Sequence, residues 1–403
     1  MSRLGTAVLA IALLVGAAPT VMAGARTEPI KIGVLTDMAG PYSDDNGPGD
    51  VIAAKLAIAD VGGKIGNLPI ELISADMQLS VDLATTIARK WVDIQGVDLI
   101  MDVPSSAAAL AVAEIAKSKD RILVTSGAST DITGKACNAN TIQWAANNYA
   151  YGSAMTKALL ADGGKTWFYI TADYVFGIDL ETISKSVLKA NGGTVLGGVR
   201  HPLGAVDQSS AVLQAISSNA DVIGLANGGS DTQNTVKQLS EFGWTANGKQ
   251  KVAMFTTSVP AVVAIGLEKA QGMYAQMSWY WDLNEGSRGF SERFMKESRG
   301  VPPSFQQASV YSSLMQYFKA MKQSPTMSGS EAVRVMKSMP TNDTVFGPGM
   351  IRANGSHIHP LYLFVVKSPA ESKGKWDVLK FVAAVPGDKA FPPEGETGCH
   401  LTK

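Results

Sequence analysis

One pattern runs through most of this chain and restricts its fold. Short β-branched apolar runs alternate with segments of helical length, divided by loops rich in Gly, Pro, Ser and Asp. The first unit, Ile30 to Gln78, shows it in full. Ile30, Ile32 and Val34 mark a buried strand, Met38–Asp50 a loop, Val51–Val61 an Ala-rich helix ended by Gly62 and Gly63, and Ile70–Ser74 a second strand. Strand, helix and strand in series call for a parallel sheet with crossover helices. Such sheets place ligands at the carboxyl ends of their strands, so Tyr42, in the first of these loops, is a candidate wall residue.

The alternation continues. Strands are expected at Val97–Asp102, Arg121–Thr125 and Thr141–Trp144, with helices at Asp82–Gln95 (Ser80 as cap), Ala107–Lys117 and Tyr149–Ala161. A second set has strands at Trp167–Thr171, Thr194–Arg200, Asp221–Ala226, Val252–Thr256 and Gly272–Ser278. Its helices are Ile178–Ala190, Ser209–Ser218, Ser230–Phe242 and Pro260–Glu268. Three further helices (Arg288–Arg299, Gln306–Lys322, Ser330–Met339) and a strand at Leu361–Val366 lead into a Gly/Pro-rich tail. At 403 residues the chain exceeds one ordinary core, and it divides into two α/β halves and a closing segment.

Lys+Arg and Asp+Glu both number 35, so the basic excess of nucleic-acid binders is missing and no such partner is expected. Residues 1–25 have the form of a cleaved export signal: Arg3, an apolar run Ala7–Ala18, and small residues around Ala23. The run is shorter than the roughly 20 residues of a membrane span. In an oxidising compartment the only two cysteines, Cys137 and Cys399, can form a disulfide or stay as free thiols.

Signatures of catalysis are missing. No G-x-G-x-x-G follows a strand, and Gly164-Lys165-Thr166 lacks the earlier glycine of a P-loop, Leu159 standing in its place. There is no nucleophile elbow, and none of His201, His357, His359 and His400 lies in a zinc-binding helix motif. His357 and His359 face one way on a strand, but no carboxylate or thiolate lies nearby in sequence. No cofactor, metal site or enzymatic activity is expected. Three loop–helix starts are rich in small residues instead: Ser105-Ser106, Ser126 to Thr130, and Asn227 to Asp231. Helix N-termini present unpaired N–H groups and a positive dipole end, which suit a carboxylate. Tyr42, Tyr149, Tyr174 and Phe176 occupy matching loop or helix-start positions, which suggests one shared cleft.

These residues also carry a resemblance. The segments IKIGV at 30–34, Gly40-Pro41, Gly62-Gly63 with Gly66, IEL at 70–72 and Asp76 resemble the branched-chain amino-acid-binding type of periplasmic substrate-binding protein that feeds ABC transporters. Ser105-Ser106, SGAST at 126–130, Asp173, Phe176-Gly177 and Phe242-Gly243 extend it over the mature chain. The resemblance implies two doubly wound α/β lobes with parallel sheets, joined by a three-crossover hinge and closing on a ligand. Lobe one is expected at 28–145 plus 277–350, lobe two at 146–276 plus 351–385, and a tail at 386–403.

Carried over by position, Ser105 or Ser106, with Ala128 and Thr130, hold a ligand carboxylate, and Phe176 and the Gly228–Asp231 loop face it from lobe two. Ser129, Tyr149 and Tyr174 stand beside them as further ligand-binding candidates. The implied role is a periplasmic, monomeric solute-binding component that passes a small molecule to ABC permease subunits in the inner membrane; the alternative is a sensor presenting its solute to a receptor. Two departures bear on the ligand. Where amino-acid-binding relatives hold an ammonium with acids, this chain has Ala145-Ala146-Asn147-Asn148 and Thr257-Ser258-Val259. Asp231 and Asp173 remain as substitutes, and the expectation shifts toward an organic or aromatic acid.

Overall fold

The computed structural model describes residues 26–246 and 248–402, so the expected export signal lies outside the described residues. Six strands form the sheet of lobe one, with Ile30–Thr36 near the middle between Leu68–Asp76 and Leu99–Asp102. All three are parallel, and Ile122–Thr125 and Thr141–Gln143 extend the sheet in the same sense. Lys64–Ile65 adds a short antiparallel edge.

The period of two along Ile30–Thr36 sorts its side chains between two cores. Ile30, Ile32 and Val34 are fully buried in the core that includes helices Gly47–Asp60 and Phe305–Met321. Leu35 belongs to a second core with helices Val81–Lys90 and Ser106–Ser118. Each such side chain contributes roughly 1.5–3 kcal/mol by burial. Gly33 meets Trp91 on this second face. A Cβ there would lie 2.4 Å from the indole, so the strand has room for the ring only because position 33 is glycine.

Lobe two has a seven-stranded sheet. Five parallel strands (Thr194–His201, Thr166–Ala172, Val222–Ala226, Lys251–Met254 and Tyr274–Met277) are followed by Leu361–Val366 and Leu379–Val385, both antiparallel to their neighbours. The last strand was not expected. It is an edge strand whose Phe381 and Val382 both point apolar groups at solvent, so its sequence lacks the alternation of a half-buried strand.

The chain passes between the lobes after Gln143, after Met277 and after Ile351. A small three-stranded sheet (Thr341–Asp343, Gly347–Ile351, His357–Ile358) sits at these crossovers and bridges Gln143 through Ser356. His357 stacks on Trp144 at 4.1 Å between ring centroids, and its ring nitrogens lie 3.1 Å from the Trp144 carbonyl oxygen and 2.8 Å from the Thr341 hydroxyl. Burial holds His357 well below the usual imidazole range and lowers His359 to about 4, so both are neutral packing groups at neutral pH.

Several boundaries differ from the sequence reading. The first helix begins at Gly47, with Pro48 in its opening turn, so the loop is shorter than Met38–Asp50. The helix expected through Gln95 ends its α-helical part at Lys90 and finishes as a π-turn. Pro260–Glu268 is two short helices, Val259–Ile265 and Leu267–Ala270, separated at Gly266. Cys137 and Cys399 form a disulfide with Cα atoms 5.7 Å apart, tying the tail to lobe one.

Candidate ligand cleft between the lobes

The first loop, Asp37–Asn46, follows the central strand of lobe one. The Asp37 carboxylate accepts from the Gly40 and Tyr42 N–H groups at 3.0 and 2.9 Å, which folds the loop back on itself. The start of helix Phe305–Met321 clamps it from the other side. The Ser304 hydroxyl donates to the Asp45 carbonyl, and Gln307 Nε2 donates to the Asp44 and Asn46 carbonyls at 3.2 and 3.0 Å. Tyr42, Asp45 and Asn46 thereby reach a cavity between the lobes.

Beneath the loop lie two buried carboxyl groups. Asn46 Nδ2 donates to Asp102 Oδ1 at 2.7 Å, the Ser126 hydroxyl donates to the same oxygen, and Thr36 Oγ1 donates to Asp50 at 3.1 Å. Burial pushes Asp50 and Asp102 up, Asp50 further because Asp102 faces it. Two carboxyls facing each other in one dry site each disfavour the other's ionised form. Asp102 and Val103 also hold positive φ angles of 78° and 53°, a conformation that costs about 1–2 kcal/mol per residue and turns the chain into the cleft at Pro104.

Around the cavity, lobe one and the helix packed on it contribute Tyr42, Asp45, Asn46, Pro104, Ser126, Ala128, Phe305 and Gln306. Lobe two contributes Tyr151, Tyr174, Phe176, Gly228, Gly229 and Thr256. In this closed arrangement the cavity between these residues has about 40 Å³ of room, enough for a few water molecules. The lobes are closed on it. The Ser230 N–H donates to the Pro41 carbonyl at 3.0 Å, and Gln233 Nε2 donates to Asp44 at 3.3 Å. On another side the Thr130 N–H and hydroxyl donate to the Asp179 carboxylate at 2.9 and 3.0 Å, and Asn148 Nδ2 donates to it at 3.0 Å.

Of the eleven residues put forward as ligand-binding, Tyr42, Ala128, Tyr174, Phe176 and Gly228 line the cavity. The other six do not line it in this closed arrangement. Ser105 caps its own helix through the Ala108 N–H, Ser106 Oγ accepts from the Ser129 N–H at 3.2 Å, and Ser129 Oγ accepts from Asp131. Thr130 is taken up by Asp179. Tyr149 is half-buried near the tail, where Glu396 adds to the effect of burial in raising its hydroxyl pKa. Asp231 accepts twice from the Gly204 N–H and is fully buried; burial raises it, against the opposing effects of that hydrogen bond and His201.

The sequence reading passed over Asp45, Asn46, Pro104, Tyr151, Gly229, Thr256, Phe305 and Gln306. Of the two substitute acids, Asp173 pairs with Arg200 on the surface and Asp231 stands behind the wall. The acid that lines the cavity is Asp45. Burial raises it to about 6, against a Ser258 hydrogen bond and with a small addition from Asp44. The amides at the departures serve the fold: Asn147 caps its helix at the Ala150 N–H, and Asn148 bonds the Phe176 carbonyl and Asp179.

Two α/β lobes on three crossovers, shut around a cavity walled from both sides, define a hinged protein that encloses a small molecule. Comparison with known proteins agrees: residues 29–375 match the periplasmic binding protein family, and the chain belongs to it. A periplasmic binding protein from Burkholderia mallei is 41% identical with a TM-score of 0.88, over 93% of this chain and 99% of that one. A branched chain amino acid ABC transporter periplasmic ligand-binding protein from Burkholderia xenovorans is 36% identical with a TM-score of 0.83, over 93% and 100%. A solute binding protein of an ABC transporter from R. palustris, in complex with 4-hydroxybenzoate, shares the fold at 21% identity with a TM-score of 0.80, over 89% and 97%. Among curated proteins none matches the chain.

Proposed function

We propose that this chain is the solute-binding component of an ABC importer. It captures a small carboxylate-bearing molecule between its lobes in the periplasm and presents the closed complex to membrane permease subunits. Its task is binding rather than turnover. One observation carries the reading: the lobes meet through direct hydrogen bonds around an interior cavity, with an Ala128 N–H that has no partner among the described residues on one wall. A ligand that bridges both walls favours the closed state by its differential affinity for it.

Support for the carboxylate comes from that N–H and the nearby start of helix Ser106–Ser118. The related Burkholderia and R. palustris proteins, named for an amino acid transporter and for bound 4-hydroxybenzoate, are consistent with this ligand class. The test is a thermal-shift screen of the mature protein against amino acids and aliphatic and aromatic acids. A true ligand at 100 times its dissociation constant stabilises by about 2.7 kcal/mol. If no carboxylate raises the melting temperature, or if a bound one is chemically converted, the proposal fails.

A further inference from the structure

Outside the cleft lining, the end of the tail brings three metal-ligating atoms to one spot on lobe one. Cys137 follows the turn after Thr130–Ile132, where its N–H donates to the Gly134 carbonyl at 3.0 Å. Cys399 directly precedes the last turn of the described chain, His400–Thr402. The two sulfurs and a ring nitrogen of His400 all lie within 4.8 Å of one another. Both cysteines are buried, while His400 is exposed and opens the cluster to solvent. No local pattern signals this group, because Cys137 and His400 stand 263 residues apart.

The distances match those between ligands of one ion. His400 Nδ1 stands 3.6 Å from Cys137 Sγ. Tetrahedral zinc, with Zn–S of about 2.3 Å and Zn–N of about 2.0–2.1 Å, holds a sulfur and a nitrogen about 3.6 Å apart. The imidazole is therefore already in place, and only the two sulfurs, now bonded to each other, have to separate. Their Cα atoms are 5.7 Å apart, so side-chain rotation at either cysteine parts the sulfurs once the bond is reduced. Cys399 Sγ also accepts from the Leu401 N–H at 3.4 Å. A backbone N–H aimed at sulfur favours the thiolate, which is the form that binds metal. Two thiolates and an imidazole suit zinc, a borderline-soft ion that takes both ligand types.

We propose that Cys137, Cys399 and His400 form a zinc site when the disulfide is reduced. A dithiol donor supplies two electrons and two protons: the S–S bond breaks, both cysteines become thiols, and the donor becomes a disulfide. Zn²⁺ then displaces one proton from each thiol and binds both sulfurs and His400 Nδ1, with water in the fourth position on the exposed side. Disulfide and metal are alternative occupants of the same sulfurs, so each excludes the other. Either one ties the tail to lobe one, and the metal keeps that link when the covalent bond is lost. The site stands apart from the cleft and does not depend on the proposed transport role.

The test is Zn²⁺ titration of the mature protein, both oxidised and after reduction by a phosphine under argon with the reductant removed. The reduced protein is expected to bind one Zn²⁺ with a dissociation constant below about 1 μM, and the oxidised protein none at that level. Co²⁺ in place of zinc should give thiolate-to-cobalt absorption in the near ultraviolet, which identifies sulfur as a ligand. His400→Ala leaves both cysteines intact and should weaken Zn²⁺ by about 100-fold, no less than the loss of an outer-shell partner costs. Circular dichroism of the wild-type and variant chains checks that reduction leaves them folded; zinc uptake by an unfolded chain only would overturn the proposal. Equal binding by oxidised and reduced protein, an affinity indifferent to His400→Ala, or no binding once two free thiols are counted would each do the same. So would a disulfide that the phosphine cannot open while the fold is intact, since the site would then never form.

Discussion

The two walls of the cleft are built differently. Lobe one presents Asp45, Asn46, Ser126 and Gln306, and its loop is tied down by Asp37, Ser304 and Gln307. Lobe two presents Tyr151, Tyr174 and Phe176, with backbone at Gly228 and Gly229, and its only other lining side chain is Thr256. Lobe one thus offers most of the polar side chains, with Tyr42 and Phe305 beside them, and lobe two offers mainly aromatic area and close backbone approach. Preorganised polar groups select a ligand at little entropic cost, while apolar cover excludes water once the lobes meet. The contrast assigns selectivity to lobe one and closure to lobe two.

The largest effect concerns the link between lobe one and the tail. Replacing Cys137 and Cys399 with serine removes a cross-link between residues 262 apart in sequence and is expected to lower global stability by up to about 5 kcal/mol. Ligand affinity should stay unchanged, because neither cysteine lines the cleft. Chemical denaturation and calorimetry on the same variant check both halves, and a large loss of affinity would mean that the tail bears on the cleft.

Gly229→Ala tests the closing wall. A Cβ at position 229 would stand 2.2 Å from the Pro41 carbonyl oxygen of lobe one, and φ there is +56°, so alanine is strained as well as blocked. The clash exists only when the lobes are shut. Affinity should drop by about 30-fold or more, and small-angle scattering should show the saturated variant remaining extended. Wild-type affinity in this variant would show that closure does not require the 41–229 approach.

Asp45→Asn should make the ligand-free protein more stable at pH 7, by about 1–3 kcal/mol. The folded-state pKa is raised from 3.8 to about 6, so the wild-type penalty is absent below the unfolded value, grows as pH rises through this window, and is constant above it. The advantage of the variant should therefore fade when denaturation is repeated near pH 4. An advantage independent of pH would locate its cause in packing rather than charge.

The smallest expected effect is at the contact between Thr130 and Asp179. Asp179→Asn keeps the side chain's shape and removes the charge that accepts from Thr130 and Asn148, for a loss of roughly 1 kcal/mol in closing. Stopped-flow measurements should find a several-fold faster ligand release with little change in association. An unchanged release rate would remove this contact from the closing energy.

Much of the fold was legible because buried strands and amphipathic helices repeat their periods over many residues, as Ile30–Thr36 and Val81–Lys90 do. The sheet of Thr341–Asp343, Gly347–Ile351 and His357–Ile358 was not, since strands of three, five and two residues show no period. Small polar residues at helix starts marked the neighbourhood of the cleft. They did not reveal which of them the fold keeps for itself: Ser105 and Ser129 cap, Ser106 braces the Ser129 backbone, and Asp231 holds Gly204. Asp45 differs from exposed Asp44 only in the face of the loop it occupies. Phe305 and Gln306 reach the site because a helix some 260 residues further along the chain docks on the first loop, and no local pattern signals that.

The disulfide also settles how the molecule would carry a mechanical load. Cys137 lies in lobe one and bonds Cys399, three residues from the end of the described chain, so the bond closes a ring containing all of lobe two. Tension applied at Arg26 and Thr402 would run through the first strands of lobe one and cross the sulfur bridge, bypassing both the hinge and lobe two. Under oxidising conditions a pulling experiment would extend only the segment before Cys137 and the few residues after Cys399. Reduction would release a hidden length of roughly 900 Å, the contour of the 262-residue ring.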